Sequence, residues 1–191
     1  MMNTLFKLTT QRLLCRCLEQ RDQEAFFVYR KLPSVGEFQF YRPNSLADVE
    51  RFFRQLAAQP AVANSWFQIG LHLQQDDQLI GDIGMHFLEN ANQVEIGYTI
   101  APAFQRQGYA TEALTAVIAY LFGNLSVHRI IASIDPRNAA SVALLTKMHF
   151  RFEAHFVKSV QIDGEWLDDC IYALLRDEWL SELPRAVSEK R

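Results

Sequence analysis

Residues 95–110 read Glu95-Ile96-Gly97-Tyr98-Thr99-Ile100-Ala101-Pro102-Ala103-Phe104-Gln105-Arg106-Gln107-Gly108-Tyr109-Ala110. Apolar residues alternate with Glu95, Gly97 and Thr99, which predicts a strand, and Pro102 ends it. Gly108 then lets the backbone turn sharply into a helix, whose first N–H groups and positive dipole end point to one spot. Such a loop holds an anion such as a pyrophosphate. An ordinary strand-to-helix turn can carry the same glycine, so the residues alone leave both interpretations open.

The segments on either side of this stretch predict a mixed α/β domain. Before it, the patterns predict a strand over 12–18, helices over 22–29 and from Ser45 to Pro60, and strands over 66–73 and 79–88. Short polar turns join the last two strands to each other and to the strand at 94–100, which is typical of an antiparallel meander. Ser45 and Asp48 form a near match to a capping box.

After this stretch the pattern changes to strand, helix, strand. The elements are a helix over 110–122 that Gly123 caps, a strand over 129–134, a helix ending near Met148, a hairpin of strands over 150–160 and 170–175 with Gly164 in its loop, and a helix over 176–183. The connection through the first helix requires a parallel neighbour. We therefore expect one domain over residues 1–191, with a core over about 13–179 and a frayed tail over 184–191.

Composition argues against several classes of protein. The chain has 191 residues, of which 49% are hydrophobic and 21% charged, as in ordinary globular domains. It lacks a run of about 18 apolar residues and a signal-peptide pattern, so we expect a cytoplasmic protein without a membrane partner. The net charge of −3 gives no footprint for direct nucleic-acid binding.

Cysteines and histidines do not predict a metal centre. Cys15, Cys17 and Cys170 have no paired spacing, so neither a disulfide framework nor a zinc site is indicated. The histidines, which likewise lack a metal-ligand spacing, are His72, His86, His128, His149 and His155. His86 is the one best placed on a strand to act as a base, although a structural part is the favoured interpretation for all of them.

Residues 105–110 match in full the Gln/Arg-x-x-Gly-x-Gly/Ala loop of the GNAT superfamily of acyl-CoA-dependent N-acetyltransferases, in which that loop binds the CoA pyrophosphate. Further matches follow in the family's order from about Leu13 to Trp179. They are Gly81-Asp82-Ile83-Gly84, Glu95-Ile96-Gly97-Tyr98, Ala110-Thr111-Glu112-Ala113-Leu114, His128-Arg129-Ile130, Asp135-Pro136-Arg137-Asn138-Ala139-Ala140-Ser141 and Tyr172-Ala173-Leu174-Leu175-Arg176-Asp177-Glu178-Trp179. The chain resembles the RimJ/RimL-type branch, whose named members acetylate the N-termini of ribosomal proteins.

The resemblance implies a GNAT fold, an α/β architecture in which a mixed, mostly antiparallel central sheet is flanked by helices on both faces. It also implies acetyl-CoA as cosubstrate, without a metal. The residues that would contact it are Tyr98, Thr99 and Ile100 on the strand, Gln105, Arg106, Gln107, Gly108, Tyr109 and Ala110 in the loop, and Asn138 and Ser141 at the next helix. One departure is His149, where the family has a glycine that tolerates left-handed backbone better, so the geometry of that turn is open.

The catalytic residues that the sequence indicates are Glu95 and Ser141. An amine is largely protonated at neutral pH, and Glu95 is the best placed carboxylate to accept its proton, the alternative being a surface or strand-pairing carboxylate. A backbone N–H near the end of its strand would polarise the thioester carbonyl. Many GNAT members protonate the leaving thiolate with a tyrosine, but residues 138–148 contain none. Ser141 is the candidate there, with helix capping, or protonation by solvent, as the alternatives.

The acceptor is less well defined. The resemblance places the early helical segment over the acceptor side, so Phe38, Phe40, Tyr41 and Phe52 are candidate walls, with core packing as the alternative. In the last hairpin, an acidic cluster of Asp163, Glu165, Asp168 and Asp169 would attract basic peptide N-termini, unless it is only a solvated loop.

We predict acetyl transfer to a primary amine, with a protein N-terminal α-amine of the ribosomal-protein type as the preferred partner. The alternatives are a small-molecule amine, such as an antibiotic, polyamine or amino acid derivative, and a non-catalytic acyl-CoA sensor. The sequence leaves acyl-chain preference and oligomeric state open, a homodimer included.

Overall fold

The computed structural model describes residues 6–182, in which no helix is long and apolar enough to cross a membrane. The strands are β1 (Lys7–Thr9), β2 (Leu13–Cys17), β3 (Ser65–Leu73), β4 (Leu79–Phe87), β5 (Gln93–Ile100), β6 (Arg129–Ile134), β7 (Arg151–Ile162) and β8 (Glu165–Leu175). The helices are α1 (Gln23–Arg30), α2 (Pro33–Gly36), α3 (Leu46–Gln55), α4 (Tyr109–Gly123), α5 (Ala139–Lys147) and α6 (Arg176–Glu182). The predicted frayed tail over 184–191 lies outside the described residues, as does position 183.

All eight strands form one sheet in the order β1-β2-β3-β4-β5-β6-β8-β7. Every neighbouring pair is antiparallel except β5 and β6, which run parallel. The structure thus confirms both the mostly antiparallel mixed sheet and the parallel neighbour that the helical crossover required.

Helices cover both faces of this sheet. Alternation turns Ile83 and Met85 of β4 to one face, where they join the main core with Leu114 and Ile118 of α4. Burial of each such side chain stabilises the fold by roughly 1.5–3 kcal/mol. Asp82, which precedes Ile83, points to the opposite face, where α1 and α3 form a second, smaller core around Phe26, Tyr29 and Val49.

A buried polar network fixes α1 to the sheet. Asp82, which is fully buried, accepts hydrogen bonds from the Tyr29 hydroxyl at 2.5 Å, from Arg30 Nε at 3.1 Å and Arg30 Nη2, and from the Gln68 carboxamide. Arg30 Nη1 donates in turn to Gln39 Oε1 at 3.0 Å. One buried carboxylate therefore joins α1 to β3, and through Arg30 to the segment that follows α2.

Two predictions at helix ends have different outcomes. Gly123 does not cap α4: it is the last helical residue, and the cap is Asn124 in the right-handed region, with φ −94° and ψ −38°. That prediction is wrong because the turn continues through Asn124, whose N–H reaches Tyr120 O at 2.8 Å. His149 does adopt the left-handed conformation, with φ 63°. The N–H of the next residue, Phe150, donates to Leu145 O at 3.0 Å, which is the hydrogen bond of a Schellman cap. His149 therefore takes the left-handed position at the end of α5 where the family has a glycine.

Candidate active site

The site forms where β5 and β6 separate. Their ladder pairs only Gln93 with Arg129, Val94 with Ile130 and Glu95 with Ile131, although β5 continues beside β4 to Ile100 and β6 continues beside β8 to Ile134. Beyond Glu95 the two strands therefore face a gap rather than each other.

Alternation along β5 determines which backbone groups face this gap. Gln93 O accepts from Leu88 N–H at 3.0 Å and Ala101 N–H donates to Ile80 O at 2.8 Å, so these odd-numbered residues face the β4 side. The N–H and C=O groups of Tyr98 and Ile100 consequently point into the gap. Ile100 O is occupied by Gln105 Nε2 at 3.0 Å, whereas Tyr98 presents its backbone groups to a ligand that enters between the strands.

A cleft with a volume of about 430 Å³ opens beside this gap. It brings together ten of the eleven residues predicted to contact the cosubstrate, namely Tyr98, Thr99, Ile100, Gln105, Arg106, Gly108, Tyr109, Ala110, Asn138 and Ser141. Gln107 does not line the cleft, because its side chain turns back to donate to Ala103 O at 2.9 Å. Thr111 and Phe104 line it and were not predicted.

The loop before α4 leaves a helix N-terminus open toward the cleft. Arg106 and Gly108 are both left-handed, with φ 58° and 83°, and Gly108 is the N-cap of α4. Because this cap has no side chain to accept a hydrogen bond, the first-turn N–H groups have no partner within the helix. The unpaired donors and the positive end of the helix dipole favour an anion at this position.

Arg12, which sequence reasoning did not single out, fixes this loop to the edge of the sheet. Its Nη1 donates to Gln107 O at 3.0 Å, its Nε donates to Glu112 Oε2 at 2.7 Å, and its guanidinium lies 4.2 Å from the centre of the Tyr109 ring. Thr10 Oγ1 donates to the same Glu112 carboxylate at 2.6 Å. These contacts join the loop and α4 to the turn between β1 and β2. The open N-terminus of α4 is therefore held in place before a ligand binds.

Acetyl-CoA fits these residues. The hydroxyls of Tyr98 and Thr99 are buried and make no hydrogen bond with any described residue, which marks polar positions that a ligand can satisfy. The helix N-terminus suits the pyrophosphate, and the free edge of β5 suits an extended amide arm. Within residues 6–182 there is no group of three or more His, Cys, Asp or Glu side chains placed to hold a metal.

A second cavity, with a volume of about 300 Å³, lies on the α1–α3 side of the sheet. Glu95 lines it, and so do all four of the predicted wall residues, Phe38, Phe40, Tyr41 and Phe52. Trp66, Gly97 and Ser133 also line it and were not predicted; their alternation on β3, β5 and β6 was the available signal. The cavity shares Tyr98, Asn138 and Ser141 with the cleft, so the two spaces meet at the gap in the sheet.

Glu95 is the carboxylate that this cavity exposes to a bound amine. Its side chain is 29% exposed, and its Oε2 lies 3.9 Å from His86 Nδ1. Burial raises the pKa of Glu95; His86 opposes this shift and Asp169 reinforces it. A carboxylate whose pKa is raised accepts a proton more readily, as a base for an ammonium group must.

Ser141 lies at the junction of the two spaces, together with Asn138 and Tyr98. The Asn138 side chain caps α5 by accepting from Ser141 N–H at 3.1 Å, and both residues also line the cleft. The Tyr98 phenol comes from β5 to the same place, where it makes no hydrogen bond with a described residue, and burial raises its pKa to about 12. Residues 138–148 contain no tyrosine, but this phenol reaches the junction from a strand.

The acidic hairpin does not line the second cavity as a cluster. Asp163 pairs with Arg42 at 2.5 Å, Asp168 bonds His155 Nε2 at 2.7 Å, and Asp169 accepts from Ser133 Oγ at 2.7 Å. Asp168 and Asp169 line only a small adjacent space of about 30 Å³, and Asp163 and Glu165 line neither space. The hairpin is thus less directly part of the acceptor space than the sequence suggested.

Comparisons with known proteins agree with this geometry. A family model described as an acetyltransferase (GNAT) domain matches residues 12–151. The uncharacterized N-acetyltransferase YnaD of Bacillus subtilis (strain 168) is 32% identical, over 90% of this chain and 98% of its own. The ribosomal protein uS5-alanine N-acetyltransferase of Escherichia coli (strain K12) is 28% identical, over 91% of this chain and 92% of its own. A solved GNAT-family acetyltransferase from Bacillus anthracis superposes with a TM-score of 0.82 at 28% identity, over 91% of this chain and 100% of its own.

Proposed function

The chain belongs to the GNAT family and is an acetyl-CoA-dependent acyltransferase, and from this premise we propose that its acceptor is the α-amine of a protein N-terminus. The observation that carries the proposal is the meeting of two spaces at the gap between β5 and β6, one with an open helix N-terminus and the other with Glu95. An amine can enter from one side and the thioester from the other. The acceptor class is supported by the relative that is a ribosomal protein uS5-alanine N-acetyltransferase.

In this proposal the cleft holds acetyl-CoA, which supplies the activated acetyl group. The first-turn N–H groups beyond Gly108 bind the pyrophosphate. Arg106 adds a positive charge beside it, and Asn138 contacts the pantetheine arm with the part of its carboxamide that does not cap α5. The free C=O of Tyr98 accepts from an amide of the arm and directs the thioester into the gap, which leaves the Tyr98 N–H for the thioester carbonyl.

Glu95 then prepares the amine. The ammonium group of the acceptor transfers a proton to Glu95, directly or through one water, and the neutral nitrogen attacks the thioester carbon. The carbon–nitrogen bond forms and the carbon–sulfur bond breaks, with the electron pair leaving on sulfur. Since the pKa of Glu95 is raised, the rate should increase as the pH rises through that pKa, because only the ionised carboxylate accepts the proton.

Three groups at the junction stabilise the charges that develop. A backbone N–H that points into the gap at Tyr98 donates to the carbonyl oxygen, a contribution worth roughly 3 to 4 kcal/mol in other enzymes. As the Ser141 hydroxyl gives a proton to the departing thiolate, it takes up the proton that the attacking nitrogen loses, so that no alkoxide remains. The Tyr98 phenol, which stays protonated at neutral pH, can donate a hydrogen bond beside it.

Replacement of Glu95 by glutamine tests the proposal. We expect kcat with an N-terminal peptide to fall by about 10²-fold or more, with unchanged acetyl-CoA affinity by calorimetry, because the change removes a proton acceptor and keeps the shape. The loss should shrink at high pH, where the amine loses its own proton. Glu89→Gln, the same change at an exposed turn, is the matched control. Turnover of Glu95→Gln equal to that of the control at pH 7 would assign Glu95 a structural part only.

A small-molecule amine is the second candidate, because the segment that carries Phe38 and Phe40 covers the cavity and its volume of about 300 Å³ suits a compact ligand. Thiol release measured with a panel of N-terminal peptides and free amines separates the two candidates. Mass spectrometry of each peptide identifies whether the α-amine or a lysine is modified. Binding of acetyl-CoA without thiol release for any amine would instead favour a sensor.

A further inference from the structure

We infer that the acceptor cavity selects an amine attached to a bulky, flat, apolar group, such as a phenylalanine or tryptophan residue at a peptide N-terminus, over a small residue or a polyamine. The inference deepens the proposed function and rests on acyl transfer occurring at Glu95.

Six aromatic residues line the cavity: Phe38, Phe40, Tyr41, Phe52, Trp66 and Tyr98. Two of these walls are held in fixed orientations by stacking. The Tyr41 ring lies 4.2 Å from that of Phe52 at 21°, and the Trp66 ring lies 4.9 Å from that of His86 at 11°. Preset aromatic faces favour a flat apolar group, since stacked and edge-to-face ring pairs add to the gain from burial.

Part of this aromatic surface is accessible to an occupant. Phe40 is 67% exposed and Trp66 is 41% exposed, although both line a concave space beside the candidate base. An apolar group bound there would remove their faces from water, which is favourable in proportion to the area covered. A methyl or hydroxymethyl side chain covers little of that area.

The charges of the cavity accommodate a single cation. Arg30 is already paired with Asp82, and Asp135 with Arg137 at 2.6 Å, which lowers the pKa of Asp135. Among the described residues that line the cavity, Glu95 is the one carboxylate without an arginine partner, so it can face an ammonium group. The charged or titratable side chain paired with it is His86, whose Nδ1 lies 3.9 Å from Glu95 Oε2. A second ammonium group of a polyamine would lose water and would meet carboxylates that are already engaged, Asp135 by Arg137 and Asp169 by the Ser133 hydroxyl. Cation–π contacts with the walls offset only part of that cost.

The floor of the cavity leaves room for the bulky group. A Cβ at Gly97 would meet no atom within 4 Å, so the space above β5, two residues from Glu95, is open. Gly97 has no left-handed backbone requirement, and a Cβ placed there lies at the lining of the cavity without meeting a protein atom. Gly97→Val therefore narrows the acceptor space in a folded protein.

The experiment measures kcat/KM for hexapeptides that differ only in their first residue, Phe, Trp, Leu, Ala or Ser, together with phenethylamine, ethylamine and spermidine. We expect Phe and Trp peptides to exceed Ala and Ser peptides by at least about tenfold, the discrimination that small size differences produce in apolar pockets. Phe40→Ser should reduce this ratio severalfold, whereas Phe156→Ser, the same change at a phenylalanine that is 49% exposed and lines no part of the cavity, should preserve it. Gly97→Val should lower the ratio as well, by excluding the larger group.

Each outcome decides between explanations. Equal or better use of Ala and Ser peptides, or a preference for spermidine, would overturn the inference and leave N-terminal acetylation intact. Acetylation of phenethylamine but of no peptide would overturn the proposed protein acceptor and support the apolar selection with a free amine as its source. A ratio unchanged by both Phe40→Ser and Gly97→Val would show that this cavity does not select the acceptor.

Discussion

Asp82→Asn should destabilise the protein more than any other isosteric change of a carboxylate in the described chain. The substitution keeps the volume of the side chain but removes the charge opposite Arg30, which is only 6% exposed and cannot release its proton. It also places an amide N–H₂ group among donors from Tyr29, Arg30 and Gln68, so at least one of these loses its acceptor. Removal of one partner from a buried pair costs about 3–5 kcal/mol, a large part of a total stability of about 5–15 kcal/mol.

Urea denaturation followed by circular dichroism measures this loss, with the slope of the unfolding free energy against urea expected to stay constant. The control is Asp163→Asn, the same change in the ion pair with Arg42, where the Asp163 side chain is 76% exposed; it should cost less than about 1 kcal/mol. The double variant Asp82→Asn/Arg30→Met should lose less than the sum of the single variants, because it removes both charges. A loss at Asp82 no larger than at Asp163, or strict additivity in the double variant, would refute this account of the network.

Three further changes test separate parts of the molecule. Gly108→Asp should abolish acetyl-CoA binding in calorimetry while the protein stays folded, because a carboxylate at the left-handed N-cap would repel the pyrophosphate. Unchanged affinity for acetyl-CoA would exclude this loop as the anion site. Glu95→Gln should raise the melting temperature at pH 7, because a pKa that is raised in the folded protein means that the ionised carboxylate opposes folding. This gain should disappear below the ordinary glutamate pKa of about 4.3, where the carboxyl group is neutral in both states. A lowered melting temperature at pH 7 would contradict the raised pKa. His149→Gly should stabilise the protein by about 1 kcal/mol, or a rise of about 2–4 °C, through relief of left-handed strain, and His149→Ala, the control, should not.

The sequence predicted well those parts whose signals are local. The α3 cap is one: the Ser45 hydroxyl accepts from Asp48 N–H at 3.2 Å, and the Asp48 carboxylate accepts from Ser45 N–H at 2.9 Å. The segment from β5 through the loop to α4 was also predicted well, because its hydrophobic periodicity and Gly108 lie within one short stretch of sequence. β1 and α2 were missed, since three and four residues are too few to show a period.

The last hairpin was predicted too short, although a signal for its full length was present. The first strand extends to Ile162 and the second begins at Glu165. These two residues pair directly across the two-residue turn Asp163-Gly164. Both turn residues are left-handed, with φ 52° and 85°, as an Asp-Gly hairpin turn requires. β7 has exposed residues on both faces over most of its length, so the alternation that marks a strand is weak there.

The active site depends on a feature that has no local signal, the point at which β5 and β6 separate. Val94–Ile100 and Arg129–Ile134 have equally apolar patterns, and continuing their observed register would pair Ile96 with Ala132 and Tyr98 with Ile134. The ladder stops after three pairs, and the edges that it leaves free line the two spaces. Hydrophobic patterning fixes which face each side chain takes but not where two parallel strands cease to pair, because either arrangement buries the same alternating residues. Tyr98 and Ser141 therefore come together through the packing of α5 against an open sheet. A family motif indicates their position only because the members of the family share that packing.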